Sequence, residues 1–327
     1  GGSAKNDRVQ VRLPDGERAA LPVESAGGDG DDAWAAVEKD AGDDPDITDG
    51  VRVIVEATWG EGSELTFRAG EGVGTVERDG LQIPAGEAAI NPVPRRMIAD
   101  AVRDVTDMGL TLTVSIPGGE ELAHETFNPR VGVEGGLSVL GTTGRVRPFS
   151  CPALRQTITC LLDAAEADGL RWPVLVPGHI GSRAAKKHLS VPEAGLAEVS
   201  NEWGYALDRA AERSFSGLLL VGHPGKLAKL AAGDWNTHSS RSDSAVPVVR
   251  RLGGDAASGA PAAPGTTEEL FSALQPGDRK RVGRRTAEAV REAVRERTCG
   301  NLDIAVMLVD MQAHILGSAG DVDRWKR

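Results

Sequence analysis

Hydrophobic and polar positions alternate with a period near two over the first half of the chain, and the rhythm changes after Pro148. From about Val9 to Val146 the runs "VQVRLPDG", "VRVIVEATW", "ELTFRAGEG" and "LTLTVSIPGG" are short and closed by glycine. Alternation puts one face of a strand in a core and the other in water, so these runs predict a mostly antiparallel sheet. One segment among them, Pro92 to Met108, has proline early in its first turn and Gly109 just past its end, which predicts an amphipathic helix.

Beyond Pro148, continuous apolar runs alternate with helical segments: a helix from Cys151 to Asp168, the strand "WPVLVPG", a helix near Ser182 to His188, the strand "LAEVSN", a helix from Glu202 to Arg213 and the strand "GLLLVGH". A helix from Arg279 to Thr298 and the strand "DIAVMLVD" add one more unit. Such alternation is the mark of a parallel sheet covered on both faces. The expected fold class is therefore α/β, with an N-terminal α+β domain (residues 7–147) followed by a three-layer, Rossmann-like α/β domain (residues 148–327). The low-complexity stretch at 253–265, "GGDAASGAPAAPG", predicts a flexible surface loop, and no internal repeat is present.

The chain has 327 residues, enough for two cores, and only 4% aromatics, so those cores must be built from Val, Leu, Ile and Ala. A net charge of −11 argues against a nucleic-acid or anionic-membrane surface. Three cysteines without paired spacing fit neither a disulfide framework nor a zinc module, and point to a reducing cytoplasm. No apolar run approaches the ~20 residues of a membrane span. The opening Gly1-Gly2-Ser3, without methionine, reads as a linker scar or the edge of a truncation and is set aside. A homo-oligomer is compatible with all of this.

Three predicted strand ends are rich in glycine: Gly141-Thr142-Thr143-Gly144, then Gly178-His179-Ile180-Gly181, then Gly222-His223-Pro224-Gly225. Glycine lets a ligand approach the backbone, and ligands in α/β sheets bind at the carboxyl ends of strands. The three loops are accordingly expected to converge on one sheet edge as a cofactor cleft, although glycines after strands also make ordinary tight turns. None matches a Walker A loop, and no GxGxxG with an acidic residue ~20 positions later is found. "GEGVGTV" reads as a hairpin or bulge, "KDAGDDPDITDG" as either a solvated acidic turn or a site loop, and "WNTHS" as a helix cap or a site. In "NPVPRRM", two arginines one turn inside a helix start could face an anionic ligand, and because adjacent residues point ~100° apart only one of Arg95 and Arg96 is expected to. Histidines never pair at i, i+4, so no helical zinc site is predicted.

Taken in order, "KDAGDDPDITDG", "GEGVGTV", "GEAAINPVPRRMI", "SIPGGEELAHETFNPRVGVEGGLSVLGTTGRVRPFS", "LVPGHIG", "VSNEWGYAL" and "LLLVGHPGKLAKLAAGDWNTHSSRSD" resemble the cobalt-precorrin-5B C(1)-methyltransferase family of the CbiD type, from the anaerobic cobalamin pathway. The resemblance runs from about residue 9 to 243 and weakens beyond. Family members usually carry a segment of the form GYTTGTCAAAA ahead of the first strand, which this sequence lacks, and Asp49 stands where histidine is common. The resemblance implies methyl transfer from S-adenosylmethionine to ring carbon 1 of a cobalt-containing tetrapyrrole rich in carboxylates. A nucleotide-dependent transferase and a non-catalytic tetrapyrrole carrier are the competing readings.

On this reading the second domain is the cofactor side, with Gly141, Thr142, Thr143, Gly144, Gly178, His179, Gly181, Gly222, His223 and Gly225 against S-adenosylmethionine. The first domain is the substrate side. Asp40, Asn91, Arg95, Arg96, Asn128, Arg130, Arg147, Lys226, Thr237 and Ser239 are the candidate substrate contacts, because carboxylates must find concentrated positive charge on a protein of net −11. Asp43 and His238 are the candidate catalytic residues, expected on opposite walls of an interdomain cleft. No metal held by the protein is expected.

Overall fold

The computed structural model describes residues 8–42, 46–78, 82–141, 143–145 and 151–326, and at Arg130 the backbone alone. The chain divides into two compact units, with the division in sequence falling between Ala153 and Leu154.

The first unit contains β1 (Arg8–Arg12), β2 (Arg18–Pro22), β3 (Ser25–Gly28), β4 (Asp32–Glu38), β5 (Arg52–Trp59), β6 (Leu65–Ala69), β7 (Thr75–Val76), α1 (Pro92–Arg103), β8 (Leu110–Ser115), α2 (Gly119–Ala123) and β9 (Val133–Glu134). Its main sheet has the order β3-β4-β5-β8-β6, antiparallel except for the parallel β6–β8 pair. Alternation along β8 buries Leu112 and Val114 in a core shared with Val73, Ile90, Ile116 and Leu137. The expected antiparallel α+β layer is therefore present. α1 ends five residues earlier than Met108, because the Arg103 guanidinium donates to the carbonyls of Thr106 and Met108 and turns the chain back toward β8. "GEGVGTV" is not a local hairpin. Its β7 pairs with the distant β9, and Gly72 packs so closely on Ile116 that a Cβ would lie 2.0 Å from that carbonyl.

The second unit contains α3 (Cys151–Ala167, whose first residues precede the division), β10 (Val174–Val176), α4 (His179–His188), β11 (Leu196–Glu198), α5 (Trp203–Ala211), β12 (Gly217–Gly222), α6 (Pro224–Leu230), α7 (Val246–Gly253), α8 (Thr267–Ala273), α9 (Pro276–Arg297), β13 (Asp303–Val309) and β14 (Ile315–Ala319). The sheet order is β11-β10-β12-β13-β14, parallel throughout except at β14. Every residue of β12 is buried, as a strand covered on both faces requires. Fully buried leucines such as Leu218, Leu219 and Leu220 each stabilise the unit by about 1.5–3 kcal/mol. The expected flexible loop at 253–265 is partly built. Gly254–Ala257 forms a 3-10 helix, Ala256, Ala257 and Ala260 are buried, and Arg285 donates to the Gly253 carbonyl at 2.7 Å. Small residues that look like a linker in sequence are here the ones that fit beneath α9. Among the described residues no helix is long and apolar enough to cross a membrane.

Candidate active site

In an open α/β sheet a ligand crevice forms where neighbouring strands send their connections in opposite directions. β10 leads through α4 to β11 on one side, and β12 leads onward to β13 on the other. The switch point therefore lies between the carboxyl ends of β10 and β12, at Gly178 and at Gly222-His223. Gly178 has φ +144°, a conformation closed to ordinary side chains, and a Cβ on it would meet nothing within 4 Å. Its backbone faces open space.

The other glycines of these loops serve packing. A Cβ on Gly222 would lie 2.9 Å from Pro177, one on Gly181 2.7 Å from the Val221 carbonyl, and one on Gly225 3.0 Å from His223 Nδ1. His223 caps α6: Nδ1 accepts from the Gly225 N–H at 3.1 Å, so the ring proton lies on Nε2, which is 2.9 Å from Glu268. Both ring nitrogens are thereby engaged, Nδ1 in capping α6 and Nε2 in tying it to α8. His179, in the first turn of α4, is exposed and has no partner among the described residues.

The turn after β11 carries a connected polar network. Ser200 there adopts φ +51°, uncommon for a residue with a side chain. Glu202, only 4% exposed, accepts from Arg155 Nε at 2.7 Å and from Asn236 Nδ2 at 2.6 Å. Asn201 accepts from the buried Thr237 hydroxyl at 3.2 Å and from its N–H at 3.1 Å. These bonds fix the 235–239 segment against α5. On that segment His238 is exposed. Its Nδ1 accepts from the Ser240 N–H and lies 2.8 Å from the Ser240 hydroxyl, which leaves the proton on Nε2 and makes the ring a hydrogen-bond donor. Ser239 is exposed beside it.

Two lysines of α6 complete the picture. Lys229 is 7% exposed and donates to the Thr237 carbonyl and to Ser242 Oγ, both neutral. Lys226 is half-buried and has no anionic partner among the described residues. Burial, and then the neighbouring Lys229 charge, hold the Lys226 ammonium pKa below the usual lysine range. The two cations lie three residues apart on α6, and neither has a carboxylate partner among the described residues.

A sequence profile of the family described as CbiD matches residues 2–148. The chain is 48% identical over 325 residues to a cobalt-precorrin-5B C(1)-methyltransferase of Syntrophotalea carbinolica, covering 99% of this chain and 93% of that one. The chain belongs to the CbiD family. A relative of the same name from Methanocaldococcus jannaschii is 38% identical over 95% of this chain and 88% of its own. A crystal structure of a CbiD cobalamin biosynthesis protein from Archaeoglobus fulgidus is 28% identical, with 72% of this chain and 74% of that one covered and a TM-score of 0.35.

Within this CbiD-family chain the Gly141 loop corrects the expectation of three loops on one edge. Gly141 follows the Ile90–Val139 bridge of the first unit and is not an end of the parallel sheet. The Thr143 hydroxyl bonds within its own turn, to Arg145, and a Cβ on Gly144 would lie 2.9 Å from Leu13 and 3.0 Å from Met97. Thr142 and Arg147 lie outside the described residues, as does Asp43, and the side chain of Arg130 is not described.

Arg95 is a strut of the first unit: it donates to the carbonyls of Ile90 and Ala88, pairs with Glu87 at 2.7 Å and lies over the Phe67 ring. Arg96, one residue on, is exposed. Asn91 occupies the N-cap of α1 without capping it through its side chain, whereas Asn128 is buried between the Gly136 carbonyl and the Ser138 hydroxyl. Asp40 accepts from the Gly42 N–H, and Asp46 accepts from the Thr48 N–H and hydroxyl and pairs with Lys39. Burial pushes the Asp46 carboxyl up, but these hydrogen bonds and the Lys39 charge outweigh it and hold its pKa below the ordinary aspartate range. The described part of the acidic segment is thus hydrogen-bonded within itself, while Lys39, Asp40 and Asp49 still line an open cavity with Pro22, Val23 and Glu24.

Glu198, Glu202, Arg155 and Lys229 escape sequence reasoning. The signal for Glu198 is its place twenty residues after Gly178, at the end of an apolar run. The turn before it carries two glycines, Gly178 and Gly181, where a dinucleotide-binding fingerprint has three.

Proposed function

We propose that this chain is an S-adenosylmethionine-dependent C-methyltransferase that methylates ring carbon 1 of cobalt-precorrin-5B in anaerobic cobalamin biosynthesis, in the cytoplasm. The observation that carries this reading is near-full-length similarity to relatives bearing that name. The three free cysteines agree with a reducing setting.

The residues present fit an adenosyl donor: the Gly178 turn offers open backbone at the switch point of the sheet, where nucleosides bind in folds of this class. When bound there, S-adenosylmethionine supplies an electrophilic methyl group. The role of the chain is then to orient, exclude water and neutralise. Lys226, backed by Lys229, receives a carboxylate of the tetrapyrrole, and the His238 Nε2–H donates to another. Glu202 and Asn201 are positioning residues that hold the His238 segment in place.

Calorimetric titration with S-adenosylhomocysteine and, separately, with ATP tests the donor class; heat with ATP alone would favour the nucleotide-dependent alternative. Mass spectrometry of cobalt-precorrin-5B incubated with the protein and S-adenosylmethionine tests the reaction, by the gain of one methyl group. For Lys226→Ala we expect substrate affinity to fall roughly tenfold, the loss of one charged hydrogen bond, with a shallower salt dependence. The pH profile has a definite sign. Because the ammonium pKa is lowered, substrate affinity in the parent protein should decline with rising pH before the ordinary lysine value of about 10.4, and Lys226→Ala should lack that alkaline limb. Between the lowered value and that of the unfolded chain, the unfolded state binds the extra proton, so stability should rise with pH across the same window.

A further inference from the structure

We infer that Glu198 binds the ribose hydroxyls of the adenosyl donor and that Ser182 positions its carboxylate. This rests on the donor reading above. β11 and β10 are parallel neighbours, with Glu198 in register with Val176, so the carboxylate stands at the sheet edge one strand from the Gly178 turn. Glu198 Oε1 accepts from the Ser182 hydroxyl at 2.6 Å, and Ser182 lies in α4, which Gly178 precedes. The carboxylate is half-buried, and Oε2 has no partner among the described residues. It has no cationic partner among them either, so a structural ion pair does not account for it.

The chain order places this acid correctly. The sheet runs β11-β10-β12, the glycine turn leaves the middle strand, and the crevice opens between β10 and β12. A nucleoside lying over the end of β10 brings its ribose toward the end of the strand on the far side of β10 from β12, which is β11. A carboxylate is suited to a vicinal diol because it only accepts, whereas a diol presents two O–H donors. With Oε1 fixed by Ser182, the carboxylate plane is set before binding, and Oε2 and the remaining lone pair of Oε1 are left to receive the hydroxyls. Gly181 completes the arrangement: its lack of a side chain lets α4 approach Val176 and Val221 closely enough for Ser182 to reach Glu198.

Calorimetry on the full chain separates the possibilities, with S-adenosylhomocysteine and its 2′,3′-dideoxyribose analogue as probes. The parent protein should bind the dideoxy compound about ten- to a hundredfold more weakly than the diol. Glu198→Gln, which retains an acceptor for Ser182, and Glu198→Ala should weaken the diol compound by the same order and leave the affinity of the dideoxy compound nearly unchanged. Ser182→Ala should give a smaller loss with the same selectivity. Thermal unfolding of each variant checks that it is folded. Equal losses for both probes, or no loss for either, would overturn the assignment of Glu198 while leaving the donor reading intact. Failure of the parent protein to bind S-adenosylhomocysteine at all would overturn both.

Discussion

Replacing Gly283 with alanine should destabilise the second unit by about 3 kcal/mol or more, and lower its thermal midpoint by roughly 6–12 °C. Gly283 lies in α9 where that helix crosses β14. A Cβ there would stand 2.2 Å from the Leu316 carbonyl oxygen and 2.6 Å from its carbon, while from the strand a Cβ on Gly317 would stand 2.3 Å from the Gly283 carbonyl carbon. Both obstacles are backbone, so no side chain can rotate away. The only relief is to lift α9 from the sheet and lose the burial of Val282, Val290 and Val294. Gly277→Ala is the control. It lies in the first turn of the same helix, is exposed and has nothing within 4 Å, so removing its backbone freedom should be neutral or slightly stabilising. Urea denaturation of the two variants checks the contrast, and equal stabilities would show that α9 is not held by this contact.

That contrast also marks what is legible in the chain. Strands whose surroundings impose one kind of residue announce themselves: the run that became β12, and that of β13 after Asp303, are apolar because both faces are covered, and the helical spacing of α9 is as plain. Pairing is less visible, since a strand carries no label for its partner. β14 joins the sheet antiparallel at its edge, and the first unit includes one parallel pair. The same blindness explains the Gly141 loop. A glycine-rich strand end looks alike whether it leaves a parallel strand or a single bridge, and only the fold separates Gly141 from Gly178. Buried charge is harder still. In "PGKLAKL" the two lysines look like a solvated helix face, yet Lys229 is enclosed and Lys226 half-enclosed, because α6 is covered on several sides. Glu202 is missed for a related reason: Arg155, which makes its burial tolerable, lies 47 residues away in sequence.

Gly178 and Gly222 look equivalent in sequence but should fail in opposite ways. Gly222→Ala should lower stability, because the new methyl would press on Pro177 at 2.9 Å, while the folded fraction keeps its affinity for S-adenosylhomocysteine. Gly178→Ala meets no steric obstacle, but its φ of +144° lies where a Cβ is strained by about 1–3 kcal/mol. The backbone is then expected to relax toward negative φ and to reorient the peptide planes on either side of the turn. Because that turn is the part of the crevice whose backbone is open, the relaxation should displace the donor and slow methyl transfer on the order of a hundredfold, as small misplacements of a reacting group do. Measured on folded protein, S-adenosylhomocysteine affinity should fall at least roughly tenfold for Gly178→Ala and stay within a factor of about two for Gly222→Ala. If Gly178→Ala loses stability yet binds as the parent does, Gly178 is a structural turn, and the donor must be sought away from the carboxyl end of β10.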